Sequence, residues 1–197
     1  MLTFDEGRHE YRWGETIVPS VTQIIAPLYS DTVSGIPPKV LEAKRILGTY
    51  VHKACELDDK GTLDEASLAD QLCPYVEAWR KFKAEMKPEI LANEKRMFHD
   101  ALKYAGTVDR VVKIGRWTWI IDLKSSVSIY PQTGVQLAGY QALIDPRPTT
   151  NLLRAALQLK ADGAYSLDRF ADRGDWATFL GLMTGHNAML SWRRRNG

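Results

Sequence analysis

The stretch GTVDRVVKIGRWTWIIDLKSS, Gly106 to Ser126, sets two aspartates and a lysine into a run of β-branched and aromatic residues. Asp109, Asp122 and Lys124 occupy positions where apolar side chains would stabilise a buried strand better, which marks them as residues kept for chemistry. Gly115-Arg116 has the form of a two-residue hairpin turn, with glycine supplying the positive φ that a type II′ turn requires. Such a turn sets Asp109 directly across from Asp122. Facing Cβ atoms stand about 4.5–5.5 Å apart, so two carboxylates there repel unless something positive lies between them. A divalent cation answers that requirement. Strand alternation then sends Asp122 and Lys124 to one face and Leu123 to the other.

A hard cation such as Mg²⁺ or Mn²⁺ takes oxygen ligands and keeps several waters, so two carboxylates and a substrate phosphate can hold it. It can deliver hydroxide, polarise a phosphoryl oxygen and stabilise a leaving group. Lys124 would orient the attacking water or neutralise charge developing at phosphorus. D-x-K alone is a weak signal, and the competing reading is a surface hairpin whose Asp122 and Lys124 pair across solvent. The apolar WTWII just ahead of it favours burial. Because replacing Asp122 by Asn also removes repulsion, that variant is expected to keep its fold and, without metal, to melt higher.

The elements that must position these residues follow from periodicity and punctuation. HEYRWGETIVPSV reads as a hairpin turning at Gly14, and SVTQII opens a helix with Ser20 as N-cap and Gln23 at N3, a capping-box spacing ended near Pro27. SDTVSGIPPK is a loop. The spacing predicts a helix from about Lys39 to Asp58 and a second from about Glu65 to Lys87, stopped by Pro88. The period then changes to that of strands: NEKRMFHDALKYA, GTVDRVVKIG and RWTWIIDLKSS form a three-strand meander. Trp117 and Trp119 in its last strand are core residues or site residues depending on register. QTGVQLAGYQALI is a helix bounded by Pro146 and Pro148, LLRAALQLKADGAYSLDRF a strand pair turning at Asp162-Gly163, and DWATFLGLMTGHNAMLSWRRR a closing amphipathic helix.

Composition bounds the reading. A chain of 197 residues, 45% hydrophobic and 10% aromatic, buries a full core and is neither disordered nor collagen-like. It is read as one domain over 1–197, residues 1–38 forming an N-terminal hairpin, helix and loop extension and 39–197 the helices and core. No run reaches the roughly 18 apolar residues of a membrane helix, and MLTFDEGRHEYRWG has no apolar signal core, which points to the cytoplasm. Cys55 and Cys73 are too few for a disulfide framework or a four-thiolate cluster, and both are read as reduced. A formal charge of +2 permits a polyanionic partner without demanding one; WRRRNG and KFKAEMK are basic segments that could meet a phosphate backbone or simply face water.

GTVDRVV, WIIDLKSS and QLAGYQAL, in that order, resemble the PD-(D/E)XK nuclease superfamily in its RecB-like exonuclease branch. Gly106, Asp109, Asp122, Lys124, Gln136 and Tyr140 fill its pattern of G-x-x-D, hydrophobic-D-x-K-[ST] and Q-x-x-x-Y. LGTYVHKACE resembles the helix that brings a metal-binding histidine, here His52, and Glu94 matches an acidic position upstream of the glycine. VPSVTQII is similar to phage-encoded members and to the mitochondrial genome-maintenance exonuclease. The resemblance implies an α/β fold with an αβββαβ core, a mixed central sheet flanked by helices, and metal-dependent hydrolysis of DNA, usually from an end. It implies catalytic roles for Asp109, Asp122 and Lys124, and metal ligation by His52, Asp109, Asp122 and the backbone carbonyl of Leu123. Support or substrate contact falls to Glu94, Gln136, Tyr140, Ser125 and Glu56. The implied cofactor is Mg²⁺ or Mn²⁺, and the partners are single-stranded DNA or duplex ends and a recombination or single-strand annealing or binding protein. No membrane and no iron–sulfur cluster belong to it, and the setting is the cytoplasm, the bacterial host's if the chain is phage-encoded.

Each assignment has a plainer alternative. His52 and Glu56, one helical turn apart, would look the same as an exposed His–Glu pair. Gln136 and Tyr140, also one turn apart, would hydrogen-bond a phosphate or stack a base, or else only fill space against the sheet. A non-catalytic nucleic-acid-binding protein with the same fold is the rival class, and an endonuclease shares the chemistry with a different substrate geometry.

Overall fold

Residues 1–30, 34–145 and 151–196 are described by the structure, a computed structural model. The chain starts with a three-stranded antiparallel sheet, β1 (Leu2–Asp5), β2 (Glu10–Trp13) and β3 (Thr16–Val18). Gly14 takes φ 59° in the expected turn, while β1, too short to carry a period, was not expected. Helix α1 (Val21–Ile25) begins with the expected box: the Gln23 amide donates to Ser20 Oγ at 3.1 Å and the Ser20 amide to Gln23 Oε1 at 2.9 Å. A 3₁₀ turn, Ala26–Tyr29, follows, with Pro27 near its start. Part of the expected loop after it and the flanking Pro146 and Pro148 lie outside the described residues.

Helix α2 (Pro38–Asp59) matches its expected span, whereas the helix expected from Glu65 begins only at Cys73, as α3 (Cys73–Met86). Pro74 explains the difference. A proline inside a helix clashes with the carbonyl four residues back, but in the first turn its fixed φ and missing N–H cost nothing. The preceding residues form two 3₁₀ turns instead, Glu65–Ser67 and Asp70–Leu72. Lys87 closes α3 in the left-handed region at φ 47°, just before Pro88.

Strands β4 (Glu89–His99), β5 (Tyr104–Ile114) and β6 (Trp117–Lys124) form the meander, β4 starting four residues earlier than the sequence suggested. Helix α4 (Thr133–Ile144) crosses over to β7 (Leu152–Leu159), β8 (Tyr165–Phe170) pairs with it, and α5 (Gly174–Asn196) closes the described chain. The five strands form one sheet in the order β4-β5-β6-β7-β8, parallel only between β6 and β7, as a helical crossover requires. The fold is therefore a mixed α/β sheet with the element order αβββαβ across α3 to β7.

Val21, Ile24, Tyr104, Val108, Ile120, Leu137 and Phe179 form the core on the face covered by α1, α4 and α5. Val51, Cys55, Trp79, Phe82, Val112, Ile121 and Leu157 form the other beneath α2 and α3. Trp119 packs at the second core, and Trp117 lies under the Arg116 guanidinium. Cys55 and Cys73 are free thiols, and burial pushes that of Cys55 up to about 12. Among the described residues no helix is long and apolar enough to cross a membrane.

Candidate metal centre

The β5–β6 turn has Gly115 at φ 60°, and the register runs from Ile114 opposite Trp117 to Arg110 opposite Ile121. One more step in that register would pair Asp109 with Asp122, but there the ladder stops. Val108 and Val111, three residues apart, both belong to the first core, so strict alternation along β5 slips beside Asp109. Side chains take over where backbone pairing ends. Asp109 Oδ2 accepts from the Leu123 amide at 2.8 Å, and His52 Nε2 of α2 donates to the Leu123 carbonyl at 3.0 Å. On β4, Glu94 sits at φ 47°, a conformation disfavoured for a residue with a side chain.

His52, Glu94 and Asp109 thereby meet. One ligand atom from each lies within 4.8 Å of the others, and His52 Nδ1 is 3.6 Å from both Glu94 Oε1 and Asp109 Oδ2. Asp122 is held apart from that trio. Its Oδ2 is 2.7 Å from Lys124 Nζ and its Oδ1 accepts from Gln136 Nε2 at 3.2 Å. Gln136 Oε1 in turn accepts from Lys124 Nζ at 3.2 Å, and Gln136 Nε2 reaches the Tyr140 hydroxyl at 3.2 Å. Asp122, Lys124, Gln136 and Tyr140 thus share the α4 face of β6, with Leu123 in the opposite core, as alternation requires.

Burial pushes the Asp109 and Asp122 carboxyls above the ordinary carboxylate range, against the pull of His52 on the first and of Lys124 on both. Burial works against the Lys124 ammonium, yet Asp122, and after it Tyr29 and Asp109, hold its pKa above the ordinary lysine value. Burial would also lower the His52 pKa, but Asp109 and Glu94 outweigh it and raise it to about 9. The positive charge demanded between the carboxylates is therefore supplied, in the metal-free protein, by imidazolium and ammonium. This corrects the expectation that Asp122→Asn raises the melting point without metal: the change takes the counter-charge from Lys124, three-quarters of whose side chain is out of solvent.

A cleft of about 290 Å³ joins His52, Asp109, Asp122, the Leu123 backbone, Lys124, Ser125, Gln136 and Tyr140. Its donors fit a hard divalent cation: carboxylates, a carbonyl and one imidazole, with Asp122 Oδ2 a buried carboxylate oxygen held by the Lys124 ammonium. Two of the residues expected as support or substrate contacts are engaged otherwise. Glu56 faces away from the cleft, its carboxylate bound to Lys53 and Lys60. Tyr140 is 5% exposed, too buried to stack a base; burial raises its hydroxyl pKa well above the usual value. Gly106 explains why it packs so closely, since a Cβ there would lie 2.9 Å from Tyr140 Cε1.

Sequence reasoning missed Asp59, Asn93 and Arg110 behind the trio. Arg110 is fully buried, donating to Asp59 Oδ2 at 2.9 Å, Glu94 Oε1 at 3.1 Å and the Asp109 carbonyl at 2.7 Å. A charged residue beside Asp109 in an apolar strand was the visible signal. Lys83 of the basic KFKAEMK segment is spent on Asp58 and Asp59, while Arg193, Arg194 and Arg195 are exposed on the last turn of α5.

No protein-family model and no curated protein matches this chain. Among solved structures it is similar to an alkaline exonuclease from Laribacter hongkongensis, at 10% sequence identity and a TM-score of 0.42, over 90% of this chain and 93% of that one.

Proposed function

We propose that this chain is a metal-dependent deoxyribonuclease of the PD-(D/E)XK type, acting as an exonuclease in DNA recombination or repair. The observation that carries the reading is the trio of His52, Glu94 and Asp109 beside a cleft that also holds Asp122, with Lys124, two residues on, ion-paired to Asp122. His52, Glu94 and Asp109 would hold Mg²⁺ or Mn²⁺, joined by Asp122 once Lys124 turns to substrate and by the Leu123 carbonyl through its second lone pair. The cation supplies an activated water and a counter-charge for the phosphoryl oxygens. Lys124 orients that water or screens charge developing at phosphorus, and Gln136 keeps the ammonium and Asp122 in register. Tyr140 supports Gln136 from below.

Action from an end is favoured by the cover beside the cleft: α1 and the Ala26–Tyr29 turn pack on the first core, bringing Tyr29 near Lys124. A strand threaded between that cover and the cleft would need a free end. With Tyr140 buried, Tyr130, 39% exposed on the segment after β6, is the aromatic left to stack unpaired bases. End-labelled linear DNA and closed circular single strands, incubated with Mg²⁺ or Mn²⁺, test the reading on a gel. Linear DNA should be shortened progressively while circles survive. Rapid loss of circles would mean an endonuclease, and loss of neither would leave the site without its proposed reaction.

A further inference from the structure

Each residue of the His52, Glu94 and Asp109 trio has a companion on its own element in one buried polar network. Asp59 lies on α2 two turns after His52, Asn93 precedes Glu94 on β4, and Arg110 follows Asp109 on β5. Asp59 is the hub, its side chain 3% exposed. Its Oδ2 accepts from Arg110 Nε at 2.9 Å and from Asn93 Nδ2 at 3.0 Å. Its Oδ1 accepts from Trp79 Nε1 at 2.8 Å and Lys83 Nζ at 3.0 Å, both on α3, which carries none of the trio. Arg110 also reaches Glu94 directly and lies over the Trp79 ring.

Stability alone does not account for this arrangement. Buried ion pairs contribute little compared with well-packed apolar side chains, and this one leaves Asn93 Oδ1 and Arg110 Nη2 buried without hydrogen-bond partners among the described residues. What it does achieve is geometric. The hub ties α2, β4 and β5 together one residue from Glu94 and Asp109, at the point where β5 leaves strict alternation and Glu94 takes a disfavoured φ.

We infer that Asp59, Asn93 and Arg110 form a positioning brace that fixes the spacing of His52, Glu94 and Asp109 for a divalent cation, an inference that rests on the reading of that trio as a cation site. Arg110 acts through Glu94 and the Asp109 backbone, and Asp59 and Asn93 act through Arg110 and the strand; none of the three touches the cation itself. Groups that orient ligands from behind typically govern metal affinity by roughly ten- to a hundredfold.

Direct Mn²⁺ binding to the whole chain, followed by electron paramagnetic resonance without DNA, tests this apart from any hydrolysis. Arg110→Lys keeps the charge but loses the fork that reaches Asp59 and Glu94 together, and Asn93→Ala cuts the β4 link. Either, shown folded by circular dichroism, should weaken Mn²⁺ binding by roughly ten- to a hundredfold. Trp79→Phe removes a donor to the same carboxylate from α3; it should lower the melting point yet leave Mn²⁺ affinity unchanged. Wild-type affinity in folded Arg110→Lys and Asn93→Ala would overturn the brace while sparing the cation site. Equal losses in Trp79→Phe would also overturn it, reducing the network to general packing. Failure of the wild-type protein to bind Mn²⁺ would overturn the cation reading and the brace with it.

Discussion

Lys124 and His52 hold the charge balance of the site, and each has a separable consequence. The Lys124 ammonium, 2.7 Å from Asp122 Oδ2, competes with any cation for that carboxylate. Lys124→Ala should therefore bind Mn²⁺ no worse than wild type while turnover on DNA falls about 10²–10³-fold, the loss expected when a group acts on transition-state charge. Parallel measurements of Mn²⁺ affinity, DNA affinity and turnover check this; a loss of DNA binding in step with turnover would make Lys124 a phosphate clamp. His52 responds to pH. Asp109 and Glu94, outweighing burial, raise its pKa from the ordinary 6.5 to about 9. A raised folded-state pKa means that the imidazolium's stabilisation of the metal-free protein is complete below pH 6.5 and is lost as pH climbs through about 9. A cation must displace that proton, so Mn²⁺ affinity should rise across the same window, and His52→Ala should both weaken and flatten that rise. Affinity independent of pH between those limits would return His52 to a structural role.

At the scale of elements, Gly106 sets how closely α4 approaches the sheet. A Cβ there would stand 2.9 Å from Tyr140 Cε1 and 3.2 Å from Leu143 Cδ1 and Val21 Cγ2, so Gly106→Ala should cost about 1–3 kcal/mol as overpacking and displace the Tyr140–Gln136 support. Urea unfolding checks it, and unchanged stability would mean that α1 and α4 yield freely. The first and last residues of the G-x-x-D and Q-x-x-x-Y motifs are thus one packing contact. What was legible in the sequence was local: the Gly115 turn with its register, the alternation of Asp122, Leu123 and Lys124, the Ser20 cap and the Pro88 stop all depend on residues a few positions apart. Pro74 was equally local, and its effect on α3 follows from the same rule once applied. The Asp59–Arg110 bond and the burial of Tyr140 depend on which faces α2, α4 and the sheet finally share, and no short pattern encodes that, whereas the pairing of Glu56 with Lys53 and Lys60 is an i,i+3 and i,i+4 pattern along α2 that the sequence already held. Glu94 was visible as an acidic residue, but its positive φ and its place beside His52 arise only when β4 pairs with β5.

For the whole molecule, the fold brings residues from α2, three adjacent strands and α4 together at the end of β6, and a formal charge of only +2 would leave recognition of a polyanion to local groups such as the exposed arginines of α5. We propose that the cleft at the end of β6 hydrolyses DNA with a divalent cation. The most direct measurement is release of labelled nucleotides from linear DNA in Mn²⁺ or Mg²⁺, with wild type, wild type in excess chelator and folded Asp122→Asn compared side by side. Wild-type protein with metal should release nucleotides, and the other two should release none. Undiminished release in chelator, or by Asp122→Asn at the wild-type rate, would contradict the account.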